Sequence, residues 1–258
     1  MLLFKFCLRH WDTNAIRNVI RIKSLSQVDF HLKVESIESM KNIKAVIFDL
    51  DGVLIDSECF HWQGWADVLK QFKINLSKNN YYNYAGKSGK LIADELIKRY
   101  KLKIKRLSLL DKKEKLIIKW FKKRPIKLMA FAKNVIKFFI DKGIKIGVAS
   151  GGPKNEITLK LKRTKLLQFF DIIISRDDVK NGKPFPDIYE LTVKKLKLKP
   201  KECVALEDTE YGVISAKAAG LTCFAIPNEF SKKQNFSKAD KIFSSLKDVI
   251  EEFEKEII

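Results

Sequence analysis

The chain has 258 residues, enough for one large α/β domain or for a domain carrying a smaller insertion. A hydrophobic content of 46% with 18 Phe excludes wholesale disorder, four scattered cysteines (Cys7, Cys59, Cys203, Cys223) exclude a disulfide scaffold, and no apolar run is long enough to span a membrane. The net charge of +20 first suggests nucleic acid, but 43 of the 51 basic residues are Lys and only 8 are Arg, the residue that base and bidentate phosphate readers favour.

The cysteine usage points to a reducing, cytoplasmic setting. Residues 1–39 stand apart. Residues 1–28 hold five basic residues and one acid, as a transit peptide would, but serine is sparse. The favoured reading is an N-terminal extension ahead of a start at Met40. From Met40 a regular alternation begins. Ile43–Phe48 reads as a buried parallel strand. Helical periodicity without a convincing strand follows from Asp56 to about Pro125, with helices over Ser57–Phe72, Lys90–Tyr100 and Ser108–Phe121. A helix over Lys127–Lys142 stops at Gly143. Then come a strand over Ile144–Ala149, a helix over Asn155–Leu167 and a strand over Asp171–Ile174. A helix over Asp187–Leu198, a strand over Cys203–Leu206 and a helix over Gly212–Ala219 stopped by Gly220 come next. A strand over Leu221–Ile226 and a terminal helix over Ser245–Ile258 complete the order. This alternation specifies a doubly wound, Rossmann-like parallel-sheet core with an inserted helical cap. The expected domains are a core of 40–55 and 126–258 and a cap of 56–125.

The chemistry-bearing residues fall at strand ends, where open α/β sheets bind ligands. Asp49-Leu50-Asp51-Gly52 places two carboxylates two residues apart as the first strand gives way to its loop. Asp49 can serve as a nucleophile, Asp51 can reach a leaving group, and Gly52 permits a tight turn. Ser150, with Gly151 and Gly152 after it, offers a hydroxyl and backbone N–H groups to a phosphate oxygen. Lys183 sits between Gly182 and Pro184, which constrain it more than an ordinary surface lysine. Glu207-Asp208 supplies hard oxygen ligands suited to Mg²⁺. Each alone has a bland reading as a cap or a solvated charge; their order along the strand ends does not.

Together these residues resemble the haloacid dehalogenase-like hydrolase superfamily, from about Ala45 to Ile226. Asp56-Ser57-Glu58 with His61-Trp62, and the run Leu206–Gly220, resemble the helical-cap subfamily that includes β-phosphoglucomutase and sugar-phosphate phosphatases. The resemblance implies that Asp49 forms an aspartyl-phosphate and that Asp51 acts as general acid and base. It implies that Ser150, Gly151 and Lys183 hold the phosphoryl oxygens. Mg²⁺ would be held by Asp49, the Asp51 backbone carbonyl and Asp208, with Glu207 close by. Asp51 argues against dehalogenation, and the absence of D-x-A-G-T argues against phosphonate hydrolysis.

In the expected cap, His61 reads equally as a substrate or proton-relay contact and as a half-exposed helix histidine, while Trp62 reads as packing. Lys87 and Lys90 flank Gly89, where the mutases of this subfamily carry an Arg, and Gly152-Pro153-Lys154 replaces a second mutase phosphate grip. Both departures favour a phosphatase. Residues 98–127 hold 14 Lys or Arg against Asp111 and Glu114, which reads as a solvated helical face. The expectation is a monomeric Mg²⁺-dependent phosphatase acting on a small phosphorylated metabolite, a sugar phosphate. A β-phosphoglucomutase is the rival. A polyanion-binding protein on an inactive core is the alternative of another class.

Overall fold

The computed structural model describes residues 42–257, so the expectations for residues 1–39 lie outside the described residues. Strand β1 (Ala45–Phe48) is buried at every position. It pairs in parallel with β4 (Lys145–Ser150) on one side and β6 (Cys203–Glu207) on the other. With β5 (Ile172–Ser175), β7 (Thr222–Ala225) and β8 (Lys241–Ile242), these strands form a parallel six-stranded sheet in the order β5-β4-β1-β6-β7-β8. Helices α5 (Ala132–Asp141), α6 (Lys154–Arg163), α7 (Asp187–Leu196), α8 (Glu210–Ala218) and α9 (Leu246–Ile257) connect or follow the strands. Because helices cover such a sheet, its central strands are apolar on both faces, which is why Ala45–Phe48 shows no polar alternation.

Between β1 and β4 the chain makes an excursion. A short strand β2 (Ile55–Asp56) leads into α1 (Glu58–Lys70), α2 (Lys78–Tyr81), α3 (Gly89–Tyr100) and α4 (Arg106–Lys123). The return strand β3 (Lys127–Leu128) pairs antiparallel with β2, so the way out and the way back are tied together. The inserted helices share a core that includes Trp65, Leu69, Leu96 and Leu109, and Phe230 enters it from the connection after β7. In the sheet domain, Phe139 packs edge-on against Phe48 (6.2 Å) and Phe253 (4.9 Å), and Phe253 meets Phe224 (6.2 Å). Edge-to-face pairs of this kind contribute about 0.5–1.5 kcal/mol each beyond the area they bury. They dock α9 onto the sheet.

Several expected boundaries shift. The helix read over Lys127–Lys142 begins only at Ala132, because Lys127–Leu128 pairs with β2 and Phe131 takes a left-handed φ of 63°. Helix α2 and strand β8 are too short for a periodicity to reveal. The overruns after α1, α6 and α7 share one cause, and α3, which ends at Tyr100 as read, makes the same closure. After α1, α3, α6 and α7 the chain turns through a positive φ at Lys73, Lys101, Lys165 and Lys197. The following amide then returns to the carbonyl five residues back: Ile74 to Leu69 (3.2 Å), Leu102 to Ile97 (3.0 Å), Leu166 to Leu161 (2.9 Å) and Leu198 to Val193 (3.3 Å). This is a Schellman closure, normally signalled by glycine. Gly143 and Gly220 make the same closure, and those were the two stops the sequence displayed.

Candidate active site

Register sets the site. Phe48 lies level with Val148 and Leu206, so Asp49 and Glu207 leave their strands side by side, and Ser150 ends the neighbouring strand two residues beyond Val148. All three emerge where the connections after β1 and its neighbour β6 run to opposite sides of the sheet, the switch point at which doubly wound sheets bind ligands. After Asp49 the loop turns at Gly52 (φ 84°), whose amide donates to the Ile55 carbonyl at 2.8 Å. A Cβ there would lie 2.1 Å from Asp208 Oδ2, so no side chain fits.

Lys183 Nζ donates to Asp49 Oδ1 at 2.8 Å and to Glu207 Oε1. The Tyr189 hydroxyl donates to the same Glu207 oxygen at 2.7 Å. Burial lifts the Asp49 carboxyl to about 7, with Glu207 and Asp51 adding to the rise and Lys183 opposing it. Burial would depress Lys183, but the carboxylates of Asp49 and Glu207 outweigh it and raise its pKa. Burial, then Asp49 and Glu207, push Asp208 well above the carboxylate range. Carboxylate oxygens of Asp49, Glu207 and Asp208 come within 4.8 Å of one another, and Asp208 Oδ1 is buried with no hydrogen-bond partner. Hard oxygen donors with one unsatisfied member fit a divalent cation. The expected residues Asp49, Asp208 and Glu207 are thus brought together. Asp51 is not part of that carboxylate cluster.

The Asp51 side chain instead faces α6. Lys160 Nζ donates to Asp51 Oδ1 and Oδ2 at 2.5 and 2.7 Å and to Glu156 Oε1 at 2.8 Å, and the Ser57 hydroxyl also donates to Asp51. Lys160 and Glu156 are buried, at 0% and 1% exposure. Burial would raise Asp51, but Lys160 and then His61 hold it far below the carboxylate range. His61 Nε2 lies 3.7 Å from Asp51 Oδ1 and 3.6 Å from Glu156 Oε1, and its Nδ1 is 2.9 Å from Lys113 Nζ. Lys113 is buried too, and desolvation lowers its pKa. It departs from the solvated face expected of residues 98–127. His61 therefore points into the site.

Both chain segments enclose a cavity of about 560 Å³ over these groups, with Ser150, Gly151, Lys183 and Asp208 on the sheet side and His61, Lys87 and Lys90 on the helical side. Lys87 is paired with Glu95 (2.8 and 2.9 Å), while Lys90 is exposed. Gly86 (φ 80°) brings the insert against Thr209: a Cβ would lie 2.8 Å from the threonine side chain. Arg176 after β5 pairs with Glu114 of α4 at 2.6 Å across the cavity rim. Trp62 donates to the Leu76 carbonyl at 3.0 Å within the insert core, as packing requires.

Sequence reasoning missed Glu156, Lys160, Lys113, Arg176 and Asn228, which donates to Asp208 Oδ2 at 2.6 Å. For Glu156 and Lys160 a signal existed: they lie four apart beside Ile157 and Leu161, on the buried face of α6.

An open parallel sheet with an acidic pair at the end of its first strand, a lysine on each member of that pair and further acids at the neighbouring strand end defines a class of enzyme built to handle anions. The family model described as haloacid dehalogenase-like hydrolase matches residues 46–226, and the chain belongs to that family. It is 30% identical over 183 residues to a phosphorylated carbohydrates phosphatase of Thermotoga maritima, covering 69% of this chain and 82% of that one. It is 28% identical to hexitol phosphatase B of Escherichia coli, covering 80% of this chain and 94% of that one. Its fold matches the crystal structure of a β-phosphoglucomutase from Clostridium difficile with a TM-score of 0.70 at 22% identity, covering 83% and 99% of the two chains. Among the described residues no helix is long and apolar enough to cross a membrane.

Proposed function

We propose that this chain is a Mg²⁺-dependent phosphatase that hydrolyses a small sugar phosphate through an aspartyl-phosphate, with residues 56–125 acting as a cap over the substrate. The observation that carries the reading is the buried Asp49 carboxylate held at 2.8 Å by Lys183, beside Asp208 with its unpartnered oxygen. An Asp49 oxygen attacks phosphorus, and the bond from phosphorus to the substrate oxygen breaks. Asp51, in its protonated form, gives its proton to the leaving alkoxide. Water then attacks the phosphorus and passes its proton to the Asp51 carboxylate, and the Asp49–phosphorus bond breaks to release phosphate. Lys160 and then His61 hold the Asp51 carboxyl far below the usual carboxylate range, which favours the form that takes this second proton. Ser150, Gly151 and Lys183 hold the phosphoryl oxygens. A Mg²⁺ ion held by Asp49, Asp208 and the Asp51 carbonyl, with Glu207 behind, would supply the positive charge that lets a phosphate dianion approach carboxylates.

Two lysines bear on the choice between hydrolysis and mutase chemistry. Lys87 is engaged by Glu95, and the exposed Lys154 meets Asp178 at 3.2 Å, so a second phosphate would compete with a carboxylate for either lysine. The relatives named as phosphatases of carbohydrates and hexitols support the sugar-phosphate reading. A screen of phosphorylated sugars and nucleotides, with Mg²⁺ present and absent, tests it. Asp49→Asn is expected to abolish turnover; full activity in that variant refutes the mechanism. Isomerisation of β-glucose 1-phosphate primed by a bisphosphate, without phosphate release, would establish the mutase instead.

A further inference from the structure

The connection from Pro227 to Gln234, after β7, joins two places that are distant in sequence. Its first polar side chain, Asn228, is fixed from several directions. Asn228 Oδ1 accepts the Phe230 amide at 2.8 Å, so the oxygen of its carboxamide is committed and the NH₂ must face the other way. That NH₂ reaches Asp208 Oδ2 at 2.6 Å and the Gly52 carbonyl at 3.4 Å. The loop backbone is closed on itself: the Asn228 amide donates to Ser231 Oγ at 3.0 Å, and the Lys232 amide returns to the Asn228 carbonyl at 2.9 Å. Two residues on, Phe230 is anchored in the insert core, edge-on to Tyr81 at 6.1 Å and Tyr82 at 5.7 Å. The asparagine is therefore an immobile donor rather than a surface side chain that happens to lie nearby.

Its effect falls on one oxygen. A carboxylate at the end of a strand can rotate and present either oxygen, or both, to its surroundings. Asn228 takes Oδ2, and Gly52 leaves room for that contact only because it lacks a Cβ: an added one would lie 2.5 Å from Asn228 Nδ2 as well as against Asp208. Oδ1 is left buried and without a hydrogen-bond partner, on a carboxylate that brings an oxygen within 4.8 Å of oxygens of Asp49 and Glu207.

We propose that Asn228 is a positioning residue for the divalent cation, holding the Asp208 carboxylate by Oδ2 so that Oδ1 is presented as the ligand. The inference rests on the reading of Asp49 and Asp208 as cation ligands. Groups that orient a ligand in this way typically contribute about 10–100-fold to metal affinity.

The test is cation binding without turnover. Mn²⁺ is titrated into the full chain, substrate absent, and free Mn²⁺ is followed by its paramagnetic resonance signal. Wild type is compared with Asn228→Ala, with Asn228→Ser and with Ser231→Ala. The serine variant keeps a turn-forming side chain that cannot span to Asp208 and guards against misfolding of the alanine variant. Ser231→Ala removes a loop hydrogen bond without touching Asp208. We expect both Asn228 variants to weaken Mn²⁺ binding at least about tenfold and Ser231→Ala, which keeps the carboxamide on Asp208, to weaken it clearly less. Unchanged affinity in the Asn228 variants overturns the positioning role, and so does equal weakening in Ser231→Ala, which would assign the effect to the loop's fold. Wild type that binds no Mn²⁺ overturns the cation reading itself, a failure distinct from the other two.

Discussion

Replacing Lys160 with methionine removes the one ammonium that the buried Glu156 and the partly buried Asp51 share. In the native chain Lys160 donates to both oxygens of Asp51 and to Glu156, and its side chain has no exposed surface. The methionine nearly preserves volume, so the loss is of charge rather than of packing. Removing one partner of a buried ion pair costs about 3–5 kcal/mol, because the survivor stays desolvated and unpaired. For a chain of this size each kcal/mol lowers the melting temperature by about 2–4 °C, so Lys160→Met should melt about 6–20 °C below wild type at pH 7.5. The pH dependence carries a further signature. The folded pKa values of Asp51 and Glu156 are depressed, because the Lys160 ammonium, ahead of other neighbouring charges, outweighs the burial of each. Stability gained that way is present above the ordinary carboxylate pKa and is lost as pH falls through the folded values. The gap between wild type and variant should therefore be widest at neutral pH and narrow on acidification, as the unpaired carboxylates of the variant take up protons. Adding Glu156→Gln should return part of the loss, and a double-mutant cycle would give the coupling. Equal melting temperatures at pH 7.5, or a gap that does not shrink towards pH 4, would refute the reasoning.

Asp49 supplies a second pH effect with the opposite sign. Its folded pKa is raised to about 7, so below that pH the carboxyl is protonated and a cation must displace the proton. Cation affinity should rise at least about tenfold per pH unit up to about pH 7, a dependence measurable by Mn²⁺ titration; a flat profile between pH 5.5 and 7 would contradict it. Gly52→Ala places a Cβ 2.1 Å from Asp208 at a φ of 84°, so a loss of at least about 2 kcal/mol is expected in urea melts, together with weaker Mn²⁺ binding.

The parts of the site that could be read from the sequence are those whose position is fixed by strand ends. Asp49 and Asp51 follow an apolar run that admits no alternation, and Lys183 is set between Gly182 and Pro184, so their placement is local. Lys160 is different. It belongs to the run Lys160-Leu161-Lys162-Arg163, where Lys162 is an ordinary outward charge and Arg163 reaches the Phe121 and Arg124 carbonyls, and only the helical phase separates it from them. In a chain with so many lysines, a buried one has no compositional signature. Asn228 is harder still, since its partner lies 20 residues away on another strand end and nothing in Pro227-Asn228 specifies that contact. The fold class was legible because parallel strands and crossover helices each declare themselves by period. The pairing of β2 with β3 was not, since two residues on each side carry no period at all.

The lysine-closed helix ends have a consequence for motion. A non-glycine residue in the left-handed region costs about 1–2 kcal/mol, so α1, α3, α6 and α7 end on a turn that is partly strained, whereas the ends at Gly143 and Gly220 are not. Local opening begins where the free-energy cost is least. The returning amides of Ile74, Leu102, Leu166 and Leu198 should accordingly exchange with solvent deuterium before those of Ile144 and Leu221, although all six make the same hydrogen bond. Two of the strained ends, at Lys73 and Lys101, belong to helices of the insert. Fraying there would start at the far ends of α1 and α3 and leave in place their first turns, which carry Glu58, His61, Gly89 and Ile92 into the cavity wall.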